Sequence, residues 1–172
     1  MICLLKLGHR IHRDFRLDTH LALTARAFLV DKIVYSGQKD SEFENCLKEV
    51  NEKFGTKILI EHVKDYKKFI KNFDGKKVHL TMYGINYADC LNDLKDSDVL
   101  IVVGGEKVES EIYNLVDYNL SVTNQPISEV SALGIFLHDF NQGKELSNDF
   151  DGKLKIVPQI KGKKVVKLKG RK

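Results

Sequence analysis

The sequence predicts an α/β fold: a mostly parallel sheet with helices on both faces. Three observations predict it. Short apolar runs alternate with amphipathic helical segments along the chain. Val99–Val103 is an uninterrupted apolar run, the mark of a central parallel strand covered on both sides. Glycine and polar residues gather where such strands end, as in Gly104-Gly105 and Thr123–Gln125.

The elements follow in order. Ile2–Leu7 reads as a buried strand and Thr19–Leu29 as a helix with Asp18 or Thr19 as its N-cap. Lys32–Tyr35 is a second strand. Ser41–Phe54 is an amphipathic helix, with Phe43, Leu47, Val50 and Phe54 on one face and Gly55 at its end. Lys57–Glu61 is a strand, Asp65–Phe73 a charged surface helix, Lys77–Met82 a strand and Tyr87–Lys95 a helix. After Val99–Val103 come a short helix, Glu109–Val116, a strand, Asn119–Val122, and a strong helix, Ser128–Asn141, closed by Gly143. Leu154–Val157 and Lys164–Leu168 flank a Lys-Gly-Lys turn, as a hairpin or an appended edge. There is no internal repeat and no low-complexity linker. The expected organisation is one domain over residues 1–152 with a basic extension over 153–172 packed on it.

Composition narrows the function classes. With 42% hydrophobic residues the chain suits a globular protein. No apolar run approaches the roughly 18 residues that span a bilayer, and MICLLKLGHR reads as a first strand rather than a signal peptide. Cys3, Cys46 and Cys90 are widely spaced and form no CxxC pair, which points to free thiols, a reducing cytoplasm and no metal. Charge is segregated. Four basic residues against one acid give residues 1–16 a charge of +3, and eight lysines with Arg171 give 153–172 a charge of +9. The body therefore carries −8 of the net +4. Basic ends on an acidic body suit a polyanion approached from one direction; a solubilising tail is the alternative.

Two strand ends could carry chemistry. Gly104-Gly105-Glu106-Lys107-Val108 leaves the buried strand with two glycines that let backbone approach a ligand. It is neither a P-loop nor a dinucleotide fingerprint, since GxxxxGK[ST] and GxGxxG are both absent. Thr123-Asn124-Gln125-Pro126-Ile127-Ser128-Glu129-Val130 is a polar loop running into a helix start, where amides offer donors.

Together these segments resemble the second and third motifs of the SPOUT methyltransferases: GGEKV and TNQPISEVSAL. LGHRIHRDFRLDTHLALTARAF resembles the first motif of the archaeal tRNA cytidine-56 ribose methyltransferases, and VHLTMYG is a further signature of that family. The resemblance runs from Leu7 to about Leu137 and continues at VPQIKGKKVV. It implies a SPOUT fold with a C-terminal trefoil knot, a homodimer, S-adenosyl-L-methionine as methyl donor and tRNA as substrate. It also implies that Leu80, Gly104 to Val108 and Thr123 to Val130 cradle the cofactor. Arg26 follows His20 by the six positions that separate an Arg from an Asn in related enzymes. Glu129 likewise stands where many relatives have Asn.

On this reading Arg26 binds the phosphate beside the target ribose and steadies alkoxide charge, because a guanidinium is a poor base. His20 takes the hydroxyl proton, since an imidazole titrates near neutrality. Arg10, Arg13 and Arg16 contact phosphates at the mouth of the site, and Lys161, Lys163 and Lys164 extend the same track. Three alternatives stand beside this reading: the same class acting on another RNA nucleotide, a non-catalytic RNA-binding protein of the same fold, and a nucleotide- or flavin-binding α/β protein with a basic tail, which the missing phosphate-binding fingerprints disfavour.

Overall fold

The structure is a computed structural model that describes residues 1–56, 58–105 and 107–168. Six parallel strands form one sheet in the order β3-β2-β1-β5-β4-β6. These are β1 (Ile2–His9), β2 (Lys32–Gly37), β3 (Leu59–His62), β4 (Lys76–Asn86), β5 (Val99–Val103) and β6 (Tyr118–Ser121). The helices are α1 (Ile11–Ala27), α2 (Ser41–Phe54), α3 (Tyr66–Asn72), α4 (Leu91–Leu94), α5 (Ile112–Leu115) and α6 (Glu129–Asn141). β7 (Leu154–Val157) and β8 (Lys164–Lys167) form a separate antiparallel hairpin.

Alternation along the central strands explains the two-sided core. Leu4, Val99, Ile101 and Val103 face α1, α2 and α6 and pack with Leu21, Phe43, Leu133 and Phe136. Cys3, Leu5, Leu100 and Val102 face the other way, toward Ile70, Phe69, Ile112 and Leu115 of α3 and α5. Every side chain of β5 is buried, which is why its sequence is one apolar run instead of an alternating one.

Three elements differ from the sequence expectation. α1 begins at Ile11, not near Thr19, so Asp18 is no N-cap. The polar run 10–18 is helix because Asp14, Asp18 and Leu21 share its buried face, while Arg13, Arg16 and Leu17 lie outside. β4 runs on to Asn86 because β6 pairs with it twice, through Leu80↔Leu120 and again through Ile85↔Leu120 after a register shift. A Cβ at Gly84 would lie 2.4 Å from the Asn119 carbonyl oxygen, so only glycine allows this crossing. The segment 87–95 splits into a 3-10 turn, Tyr87–Cys90, and the short α4.

The strands set a direction. Their carboxyl ends meet the starts of α1, α2 and α6, and those helices finish at the opposite rim. There Asn141 Nδ2 donates to the Phe28 carbonyl (2.8 Å). The hairpin joins the same rim, through Lys153–Glu52 (3.2 Å) and the close approach of residues 151–152 to Gly55.

Candidate active site

Ligand sites in open parallel sheets lie at the carboxyl ends of the strands. Two adjoining cavities lie there. The first, of about 240 Å³, is walled by His79 to Tyr83 of β4, by Gly104, Gly105 and Val108 after β5, and by Leu120 and Val122 of the β6 end. Thr123, Gln125, Pro126, Ile127, Glu129 and Ala132 close it. The second, of about 830 Å³, is lined by Lys6, Gly8, Arg10, Arg13, Asp14, Leu17, Tyr66, Gly105, Lys107, Val108, Glu109 and Glu129 among others. Gly105, Val108 and Glu129 belong to both, so the two cavities meet at this wall.

Local structure builds the first cavity. Asn124 Nδ2 donates to the carbonyls of Met82 (2.7 Å) and Gly84 (3.0 Å) and to Ser121 Oγ (3.2 Å). It thereby ties the 122–128 loop across the end of β4. Ser128 caps α6 by accepting from the Val130 amide. A Cβ on Gly104 would overlap Val108 Cγ2 (2.0 Å), so any larger residue there would push Val108 out of its place in the turn after β5. His79 is buried between Asn119, whose Oδ1 is 3.0 Å from Nδ1, and the Tyr113 ring. Burial pushes its imidazole pKa down despite the Asn119 contact, so it meets the cavity as a neutral ring.

The second cavity is electrostatically different. Lys6 is 3% exposed. Its Nζ donates to the Leu7 carbonyl (3.2 Å) and lies 3.5 Å from Asp18 Oδ1 and 3.9 Å from Glu129 Oε1. Asp18 is held in turn by His9, whose Nδ1 is 2.7 Å away and whose Nε2 is 3.1 Å from Asp40. Arg10 grips Asp14 through Nε (2.7 Å) and Nη2 (3.0 Å), and that hydrogen-bonded pair keeps the Asp14 carboxyl below its usual range. Among the described residues no group of three or more His, Cys, Asp or Glu could hold a metal ion, and no helix is long and apolar enough to cross a membrane.

The structure sorts the expected site residues. Leu80, Gly104, Gly105, Val108, Thr123, Gln125, Pro126, Ile127 and Glu129 line the first cavity. Lys107, Arg10 and Arg13 line the second. Asn124, Ser128 and Val130 do not line either one; they shape the loop, cap α6 and pack on the core. Glu106 lies outside the described residues. Arg16 is exposed on α1 away from both cavities.

Within one subunit the expected catalytic pair, Arg26 and His20, lies away from both cavities. α1 has 17 residues, a length of about 25 Å. Arg10 stands at its start and Arg26 in its last turn, at the rim opposite the cavities. There Arg26 Nη2 donates to the Gly55 carbonyl and the guanidinium lies 5.2 Å from the centre of the Phe150 ring. Burial pushes its pKa down. His20 is exposed and lines neither cavity; its carbonyl accepts from Thr24 Oγ1 (3.0 Å). Within one subunit neither residue reaches the cavities: α1 starts two turns earlier than expected, and positions 20 and 26 fall along its length toward the far rim. Lys161, Lys163 and Lys164 belong to the hairpin and also lie at the far rim of the same subunit. Sequence reasoning missed Lys6, Asp18, His79 and Tyr113. Lys6 carried a signal, a lone charge inside the buried strand Ile2–Leu7.

Residues 54–166 match the model of the tRNA ribose 2′-O-methyltransferase family aTrm56. The chain belongs to this family. Similar full-length relatives bear the name tRNA (cytidine(56)-2′-O)-methyltransferase. That of Pyrococcus horikoshii is 46% identical, over 99% of this chain and 87% of its own length. That of Methanocaldococcus jannaschii is 47% identical, over 96% of each. Among solved structures, the TrmH/SpoU tRNA modifying enzyme of A. aeolicus superimposes with a TM-score of 0.59 at 16% identity, over 85% of this chain and 76% of that one. The SpoU methyltransferase AviRb of Streptomyces viridochromogenes, in complex with AdoMet, gives 0.59 at 12% identity, over 84% and 57%. At these identities the aTrm56 family member shares with them the SPOUT methyltransferase fold.

Proposed function

We propose that this chain transfers the methyl group of S-adenosyl-L-methionine to the 2′-hydroxyl of cytidine 56 in the T-loop of tRNA. The observation that carries the reading is the pair of cavities joined at Gly105, Val108 and Glu129, one loop-walled with apolar and polar groups side by side, the other lined by lysine and arginine together with three carboxylates. The relatives' shared name supplies the nucleotide.

The first cavity fits the cofactor's chemistry. Leu80, Val108, Leu120 and Ile127 give apolar walls for an adenine, and the glycine turn and the 122–128 loop bring backbone donors and acceptors to its edge. When bound, the cofactor supplies an electrophilic methyl on a positively charged sulfur. The chain's own residues do the rest. Arg10, Arg13, Lys6 and Lys107 outnumber the three carboxylates of the second cavity, a balance suited to the phosphates flanking a ribose. Holding the 2′-oxygen in line with the methyl accounts for much of the rate gain such an enzyme needs.

The working form is a homodimer in the cytoplasm, with the trefoil passage of the SPOUT fold at the β4–β6 crossing. Leu17, Ile127 and Ile135 support the dimer: these large apolar side chains on α1, α6 and the preceding loop are 38–46% exposed beside the site. A partner would also bring the far-rim lysines of one subunit toward tRNA held by the other. The test is methyl transfer from labelled S-adenosylmethionine to an unmodified tRNA transcript, mapped by nuclease digestion, with the mass in solution measured by light scattering. Ribose label at cytidine 56 is the expected result; label at another nucleotide would overturn the assignment.

A further inference from the structure

Removing the hydroxyl proton needs an acceptor, and the two residues expected from sequence lie away from the cavities. The structure offers few substitutes. Three carboxylates line the basic cavity: Asp14, Glu109 and Glu129. Asp14 is committed to Arg10. Glu109 accepts from Tyr66 (2.6 Å) and pairs with Lys67 (2.7 Å), which pulls its carboxyl below the usual range. Both oxygens of each are thus engaged by neighbouring donors. Glu129 faces only the tip of Lys6, at 3.9 Å, beyond hydrogen-bond reach, with its side chain 20% exposed. Among the described residues it is also the one carboxylate that lines both cavities.

We propose that Glu129 is the catalytic base and that Lys6 is the positioning residue that holds it at the junction. This rests on the reading of the chain as a ribose methyltransferase. As the 2′-oxygen forms its bond to the methyl carbon, the carbon–sulfur bond breaks with its electron pair staying on sulfur, and the hydroxyl proton passes to the Glu129 carboxylate. Atoms and charge balance: sulfonium and carboxylate become thioether and carboxylic acid.

The support for Lys6 is a buried chain of charges. Its ammonium is clamped between Asp18 and Glu129, and Asp18 is fixed through His9 to Asp40 at the start of α2. Asp18 takes up part of the Lys6 charge and fixes its place, so Lys6 orients Glu129 without binding its oxygens as a full hydrogen-bond donor would. The Glu129 lone pairs stay open toward the cavity.

The test compares wild type, E129Q, K6M and the double variant at saturating tRNA and cofactor, with S-adenosylhomocysteine and tRNA binding measured separately by calorimetry and filter retention. Removal of a general base predicts a fall in kcat of about 10²–10⁴-fold for E129Q, with both binding constants within about threefold. K6M is expected to lose about tenfold in the wild-type background and less than about twofold in E129Q, because residues acting as one unit are non-additive. E129Q keeps shape and changes only a part-exposed side chain at the start of α6, so it tests the base even if K6M fails to fold. A wild type that leaves cytidine 56 unlabelled overturns the functional reading and this proposal together. A wild type that labels it, with E129Q within about threefold in kcat, overturns this proposal alone. So does a kcat loss matched by equal weakening of S-adenosylhomocysteine binding, which would make Glu129 a cofactor ligand.

Discussion

Asn124 offers a perturbation whose chemistry can be inverted without changing its shape. Its amide nitrogen donates to two backbone carbonyls and a hydroxyl at 2.7, 3.0 and 3.2 Å. Two carbonyls can only accept, so the nitrogen must face them. Asn124→Asp places a carboxylate oxygen there instead. Each lost hydrogen bond is worth about 0.5–1.5 kcal/mol net. N124A should therefore cost about 2 kcal/mol in the closed loop, a modest figure because the residue is exposed. N124D should cost about 3 kcal/mol, because its charge now opposes two carbonyl dipoles. If the loop must close to form the cofactor cavity, S-adenosylhomocysteine binding weakens about 30-fold in N124A and about 100-fold in N124D. Calorimetry on folded variants measures both. Binding within about threefold of wild type in N124D, or an N124A defect larger than that of N124D, would refute the pinned-loop account.

Three further outcomes follow from particular contacts. Asp40 caps α2 through the Glu42 and Phe43 amides and faces His9 from a buried position, so D40A should cost about 3 kcal/mol and lower Tm by about 6–12 °C. Burial pushes the Asp40 carboxyl up, but the Phe43 amide, the His9 ring and the Glu42 amide more than offset it and hold the group below its ordinary value. The stabilisation is thus present above the unfolded pKa of about 3.9 and is lost as pH falls through the lower folded value; melts from pH 7 to pH 2 should show the D40A difference shrinking only below about pH 4. R26M should keep kcat near normal while losing about 2 kcal/mol, since Arg26 ties α1 to Gly55 and Phe150 at the far rim; a large kcat loss with unchanged melting would return Arg26 to the chemistry. R13A should weaken tRNA binding and flatten the slope of log affinity against log salt by about 0.7–0.9, read by filter binding at several salt concentrations; an unchanged slope would remove Arg13 from the phosphate track.

The parts of the site legible in the sequence are those that follow a strand directly. Gly104, Gly105 and Val108 come straight off β5, and Thr123 to Glu129 come straight off β6. A buried parallel strand is a strong local pattern, and where it ends the site begins. The residues that depend on a helix boundary were misread. The 10–18 segment looks like a charged loop, because its buried members are Asp14 and Asp18 and not apolar residues. Their burial is stabilised by Arg10, Lys6 and His9, partners that only the assembled fold supplies. Once the start of α1 moved, His20 and Arg26 moved with it. Similarly, the second pairing of β4 with β6 depends on a crossing 35 residues away in sequence, which no local pattern announces.

By itself, then, the sequence determined the α/β class, the order of its strands and helices, and the loops that wall the first cavity, because hydrophobic periodicity and strand-end glycines are local properties of the chain. The tertiary structure decided which charges meet. It brought Lys6 of the first strand to Glu129 of the last sheet-packed helix, and it sent Arg26 to the far rim. Ion pairing falls off over a few ångströms, and separations that short between residues more than 120 apart are set by how the sheet is wound.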